Sequence, residues 1–474
     1  MELPSPKRRK LIHTCLFVVF ALLCTPALKK LELMCVQNQI IQEERERKSR
    51  EAKKRFHRIR RNWCQFKHSI TKKHFNRMFR MPVECFDLLC KLIESNVGPE
   101  NFRSEEYITY NLDVVSSSKS GNIYKAHKET SGGYICGEVK LAITLRILAG
   151  ASYLDIACIF NVNYTHVYAI FHHVLMNWLC SDFIYKYELI DIINDENKMF
   201  DVAKHFASGR NGGTLCGIVG ALDGWLVKIK CPSLKQDGVS NSGGYFSRKG
   251  FFALNVQVIV DKHKKVLWRR IGARGSEHDS SAFKNSTIHK LLEEQFSRNN
   301  GAMHNNSMKN SFYLIGDSAY ALRPWLLTPY DNAKQKSPED TFNFMHSSSR
   351  ISVECALGEL NLRWGIFWRP LKFKLTQHKF IIDAAMRLHN FIVDFREENN
   401  DTNEDIEFFQ REEIEFMRSN PDEIVGVFGN GGSYSYGNAG RPLSVDIEFV
   451  QSAKSLRDSI RDKMQSLGLS RPRN

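Results

Sequence analysis

Residues 217–230, Gly-Ile-Val-Gly-Ala-Leu-Asp-Gly-Trp-Leu-Val-Lys-Ile-Lys, constrain this chain more than any other stretch. A short run rich in Ile, Val and Leu predicts a mostly buried strand. It carries one carboxylate, Asp223, followed by Gly224, whose missing side chain frees the backbone. A carboxylate in such a strand is costly unless its charge is compensated. Two more stand in comparable settings. Ser311-Phe312-Tyr313-Leu314-Ile315-Gly316-Asp317-Ser318-Ala319-Tyr320 is a short apolar strand ending at Asp317, and Arg350-Ile351-Ser352-Val353-Glu354-Cys355-Ala356-Leu357 has helical spacing around Glu354. Three converging carboxylates are tolerable only with a bound cation or strong pairing, and such hard oxygen ligands suit Mg²⁺ or Mn²⁺.

The order Asp223, Asp317, Glu354, in strand, strand and helix contexts, resembles the DDE nuclease of PIF/Harbinger-type transposases and their domesticated relatives. Further matches are Asp223-Gly224, Ser247-Arg248-Lys249-Gly250 running into Leu254-Asn255-Val256-Gln257, Gly275-Ser276-Glu277-His278-Asp279-Ser280, Gly316-Asp317-Ser318-Ala319-Tyr320 with Pro324-Trp325-Leu326-Leu327-Thr328-Pro329, and Leu388-His389-Asn390. The resemblance covers roughly residues 140–395, with a weaker echo in the C-terminal tail. It implies an α/β fold: an RNase H-like DDE nuclease core preceded by an α-helical, helix-turn-helix-like region. The sequence departs from the family at Trp225, where a polar residue is common, and in the Asn/Ser/Met-rich insertion 298–310.

A formal charge of +15 points to a polyanionic partner, and nucleic acid and an anionic membrane surface both satisfy that number. The location of the charge decides more. From Glu43 to Arg80 there are 15 Lys/Arg against 4 Glu, interleaved with Phe56, Trp63, Phe66, Phe75 and Phe79. This predicts a helical segment with one packed face and one basic face, which is either solvated, in contact with phosphate through Arg58, Arg60 and Arg61, or a nuclear-import signal. Twelve cysteines include no C-x-x-C pair and no cluster at zinc spacing, so reduced thiols and an intracellular protein are expected.

Lys7-Arg8-Arg9-Lys10 precedes the apolar run Leu11–Leu28. A secretory signal or membrane anchor, a buried helix, and an ill-defined upstream extension all fit that pattern. Residues 81–100 predict an amphipathic helix, and Asn101–Gly133 a Ser/Gly-rich linker. Ser152–Phe160, a turn at Asn161-Val162-Asn163 and Tyr164–Trp178 match two helices of a helix-turn-helix, with Thr165 and His166 opening the second. Trihelical packing without DNA contact fits the same pattern. His172-His173 is no chelating pair, because neighbouring residues on a helix point about 100° apart.

In the nuclease region, Tyr245–Val260 and Val266–Ile271 predict a hairpin turning at Asp261-Lys262-His263-Lys264, then a helix from about Ser280 to Gln295. Under the resemblance Asp223, Asp317 and Glu354 are catalytic and hold two ions, Asp223 bridging them. Asp279 is either a further ligand, a residue that orients a water, or a helix N-cap. Arg248 and Lys249 are either phosphate contacts or solvated loop residues. Arg363 could reach phosphate, and Trp364 is core. The resulting division is an apolar extension (1–42), a basic helical region and linker (43–134), the helix-turn-helix-like unit (135–200), the nuclease (215–395), and an acidic, Gly-rich linker with a C-terminal helix (396–474).

The expected function is a Mg²⁺- or Mn²⁺-dependent DNA endonuclease in the nucleus. It would hydrolyse phosphodiester bonds with water, or transfer strands with a DNA 3′-hydroxyl. The resemblance implies a separate Myb/SANT-like DNA-binding partner, and a homo-oligomer is compatible with it. The rivals are a domesticated DNA-binding or scaffold protein that does not cleave, and a protein anchored in a membrane through 11–28.

Overall fold

The computed structural model describes residues 10, 13–17, 36–47, 61–103, 135–208, 213–298, 312–399 and 444–471. It divides into two compact units, Met1–Arg60 with His127–Tyr134, and Arg61–Ala126 with Ile135–Asn474. In the first, 13–17 and 36–47 are helical and exposed. Most of the apolar run 11–28, together with Arg58 and Arg60, lies outside the described residues. Among those described, no helix is long and apolar enough to cross a membrane.

The second unit is built on five strands: β1 (Ile218–Lys228), β2 (Ala253–Val260), β3 (Val266–Arg274), β4 (Tyr313–Ile315) and β5 (Leu326–Leu327). Their order is β3-β2-β1-β4-β5. β1 is antiparallel to β2 and parallel to β4, so the Asp223 strand is central, as its apolar composition demands. Alternation gives β1 two faces. Ala221, Trp225 and Val227 join one core cluster, and Val219 and Leu222 join the other. Mixed α/β layering on this order is an RNase H-like core.

Helices cover both faces. α1 (Trp63–Ser69), α2 (Lys72–Phe79), α3 (Val83–Val97), α4 (Gly137–Leu148), α5 (Tyr153–Phe160) and α6 (Tyr164–Val174) pack into the first cluster. α7 (Glu196–Ala207), α8 (Asp279–Lys284) and α9 (Thr287–Arg298) belong to the second face. α10 (Pro338–Arg363), which carries Glu354, lies on the first. Its buried Phe342, Met345, Ser349, Val353, Ala356 and Leu360 recur every three to four residues, the stripe of a helix with one packed side. α11 (Leu375–Asn399) crosses behind β3, and α12 (Ser444–Ser466) returns against α10 and β5.

Several local departures from the sequence expectations have plain causes. Helix α3 stops at Val97 because Gly98 takes a positive φ of 84°. β2 begins at Ala253, since Phe246 and Phe252 bridge across a turn in which Gly250 has φ 82°. The helix expected from 280 to 295 is two, broken where the Ser286 hydroxyl accepts the His289 N–H. The two helices around Asn161 form as expected, with Asn161 left-handed and the Asn163 side chain accepting the Thr165 N–H at 3.1 Å.

Candidate active site

Asp223 lies on the β1 face that looks toward α10, opposite Val258 of β2. Ala221 pairs with Ile315 in the parallel ladder, and Asp317 stands two residues beyond Ile315 as Asp223 stands two beyond Ala221. Asp317, just past the end of β4, therefore stands level with Asp223 in the middle of β1. The Asp317 side chain accepts the Ala319 N–H at 3.0 Å. α10 contributes Glu354 and, one turn earlier, Arg350. Arg350 Nη1 donates to Asp223 Oδ2 at 2.9 Å, and its Nη2 is bonded to Glu354 Oε1.

Burial pushes the Asp223 carboxyl up to about 6, opposed by the Arg350 charge and reinforced by Asp317 and Glu354. Burial likewise raises Asp317, again against the pull of Arg350. Two incompletely compensated carboxylates and the half-exposed Glu354 form a donor set of hard oxygens, the type Mg²⁺ or Mn²⁺ takes. In this arrangement the cation between Asp223 and Glu354 is a guanidinium. Among the described residues, no three His, Cys, Asp or Glu side chains stand together as a metal-holding group. The donor chemistry fits a divalent ion, while the present spacing holds an arginine.

Asp279 is placed differently from the other carboxylates. It opens α8 at its first turn, and the N-cap residue is His278, so the capping role does not apply. Gly224, Gln257 and Asn255 point to the face of the sheet opposite Asp223. There Asp279 Oδ1 accepts from Asn255 Nδ2 and Gln257 Nε2, both at 2.9 Å. Tyr320 Oη donates to Gln257 Oε1 at 2.6 Å in full burial. Arg248 Nη2 approaches Asp279 Oδ2 at 3.5 Å. Lys249 is exposed, and partial desolvation together with the neighbouring Arg248 charge lowers its pKa.

The remaining sequence candidates fall as follows. Arg61 is exposed beside the Phe66 ring, with 5.2 Å to its centroid. Thr165 is exposed and His166 half-buried at the start of α6. Trp225 packs edge-on to Phe367, so the departure from a polar residue serves the core. Arg363 is not available to phosphate: its Nη1 donates to Arg80 O at 3.1 Å behind α10. Trp364 is fully buried, its indole N–H on Ala385 O. Asn255, Gln257 and Tyr320 carry no sign in the sequence of the network they form around Asp279. Arg350 is equally hidden, its only signal being its four-residue spacing from Glu354. Asn390 is structural: its amide accepts the Val266 N–H and donates to Val266 O, both at 2.8 Å, completing the outer edge of β3.

Residues 222–390 match the family model described as DDE superfamily endonuclease. The chain is homologous to Protein ALP1-like of Arabidopsis thaliana, at 27% identity over 342 residues, covering 70% of this chain and 74% of that protein. It is also similar to Antagonist of Like Heterochromatin Protein 1 of Arabidopsis thaliana, at 24% over 327 residues (68% and 73%). HARBI1 of Xenopus laevis, named as a candidate nuclease, is 28% identical over 178 residues, covering 37% of this chain and 46% of that protein. No solved structure matches.

Proposed function

We propose that this chain is a Mg²⁺- or Mn²⁺-dependent DNA endonuclease of the PIF/Harbinger class, acting in the nucleus. The observation that supports the reading is that Asp223 and Asp317 come from neighbouring strands while Arg350 of α10 is bonded to both Asp223 and Glu354. When bound there, divalent ions would activate a water or DNA 3′-hydroxyl and stabilise charge on the phosphate. Asp223, Asp317 and Glu354 are the residues that would hold them. Burial of the two aspartates keeps water from screening their charge. The Asn255, Gln257 and Tyr320 network fixes Asp279 from behind β1 and leaves its Oδ2 toward Arg248. Arg248 and Lys249 stand beside the carboxylates as phosphate contacts, and the basic segment with Arg58, Arg60 and Arg61 supplies affinity along the backbone. Thr165 and His166 would reach the DNA from the helix-turn-helix. A Myb/SANT-like DNA-binding partner and a homo-oligomeric assembly complete the proposal.

A second reading, a DNA-binding protein that keeps the fold without cutting, has one observation in its favour: Arg350 already pairs with both Asp223 and Glu354. Purified Asp317→Asn and Glu354→Gln separate the two readings. Under the nuclease reading both bind DNA in chelator about as well as wild type, and neither cuts it in Mg²⁺ or Mn²⁺. Charge reversal at Arg58, Arg60 and Arg61 weakens binding and flattens its salt dependence by roughly 0.9 log unit per lost contact. A wild-type chain that binds DNA and never cuts it supports the second reading.

A further inference from the structure

The Arg350 bridge suggests more than charge balance. Its guanidinium uses one edge on a sheet residue, Asp223, and the other on a residue of its own helix, Glu354. The two arms differ in exposure: the side chains of Arg350 and Asp223 are 16% and 21% accessible, and that of Glu354 is 52%. A half-exposed ion pair at i,i+4 is weak and readily exchanged. A divalent ion brings two positive charges to the same carboxylates where the arginine brings one, so the ion is the stronger partner for the cluster.

A displaced guanidinium, largely buried, then needs another acceptor. One turn back on α10, the fully buried His346 carries no negative charge, and its Nε2 lies 3.1 Å from Leu327 O. An incoming phosphate offers two oxygens in the fork geometry that arginine takes best.

Resting on the nuclease reading above, we propose that Arg350 is a resident counterion of the metal-free protein, displaced by divalent cation and thereby released to bind a phosphate of the DNA. Metal and DNA affinities are then coupled through one side chain, and by linkage each tightens the other. Arg350 is thus assigned as a phosphate-binding residue whose availability depends on the ion.

The test uses the full chain and Ca²⁺, chosen so that cleavage does not intervene. Ca²⁺ binding is measured by titration calorimetry without DNA, and binding of a double-stranded oligonucleotide by fluorescence anisotropy in Ca²⁺ and in chelator. Wild type should bind DNA more tightly in Ca²⁺ than in chelator. Arg350→Gln should bind Ca²⁺ about ten-fold more tightly, the loss of one competing charge, and should lose the Ca²⁺-dependent gain in DNA affinity. Arg350→Lys keeps the charge and cannot bridge both carboxylates, so it should fall between the two in both measurements. It stands in if circular dichroism finds Arg350→Gln unfolded. Ca²⁺ binding by Arg350→Gln no tighter than wild type, or an undiminished DNA gain, overturns the proposal and leaves the nuclease reading standing. A wild-type chain that takes up no Ca²⁺ overturns both.

Discussion

The carboxylate of Asp279 lies against Gly224: a Cβ built on that glycine would overlap Asp279 Oδ1 and sit 2.8 Å from Gln257 Nε2. The Asp-Gly pair thus does two jobs on opposite faces of one strand. Asp223 presents its charge to α10, and Gly224 leaves room for a second acid on the far side. Both neighbours are pinned by hydrogen bonds and cannot withdraw cheaply. Gly224→Ala should therefore cost on the order of 2 kcal/mol of stability, as overpacking a filled site does, and should reduce cleavage by displacing Asp279. A melting temperature and cleavage rate equal to wild type would refute this account of the glycine.

Asp223 carries a pH signature. Its carboxyl titrates near 6 in the folded chain against 3.8 ordinarily, so the folded state binds the extra proton between those values. Its contribution to stability is present at low pH and is lost as pH rises toward 6 and above. The buried His173, His346, His378 and His389 and the half-buried His172 are pushed down to about 4 by desolvation and act in the opposite sense, so total stability is a poor readout. The informative quantity is a difference. In chelator, Asp223→Asn should gain on wild type by roughly 1–2 kcal/mol between pH 5 and pH 7.5 in urea unfolding. Parallel pH curves for the two proteins would contradict the burial of this charge.

Asn390 tests the fold alone. Replacing it with Ala leaves the N–H and C=O of Val266 without their amide partner at the edge of the sheet. The expected loss is roughly 2–4 kcal/mol, and hydrogen exchange at Val266 should quicken. Asn390→Asp keeps the acceptor but buries a carboxylate against the Val266 carbonyl, so its loss should be at least that of Ala.

The three acids could be picked out from sequence because an apolar run interrupted by one carboxylate needs a reason, and Asp223 and Asp317 each interrupt such a run. What could not be read was which side of the sheet each faces. Asp279 sits close to Asp223 in the motif order, yet the β1–β2 register turns it to the other face beside Gln257. Register is a long-range property, and Gln257 within Leu254-Asn255-Val256-Gln257 carries no local sign of the acid it will hold. Arg350 was equally mute, because an Arg four residues before a Glu is an ordinary helical pair until the sheet supplies Asp223 as a third member.

Arg457 on α12 donates to Thr328 O and Pro329 O at 3.1 and 3.0 Å, and its guanidinium lies 4.0 Å from the Tyr330 ring centroid. Tyr330 Oη in turn donates to Asp458 at 2.6 Å. Arg457→Ala should cost roughly 1–3 kcal/mol and loosen α10 without touching a carboxylate of the site. Protease nicking near α12 at unchanged global stability would show that the helix is not coupled to the core.

That helix also sets an order of events during synthesis. α10 is complete at Arg363, whereas its covering residues Ala453, Ile460 and Met464 are translated some ninety to a hundred positions later. Until then the emerging nuclease core displays an unpaired apolar flank beside β5, the kind of surface that recruits chaperones or mispairs with a neighbouring copy. The interval between Glu354 leaving the ribosome and α12 docking is therefore a window of vulnerability, and a ribosome stalled within it would hold the carboxylates on a scaffold still missing one wall.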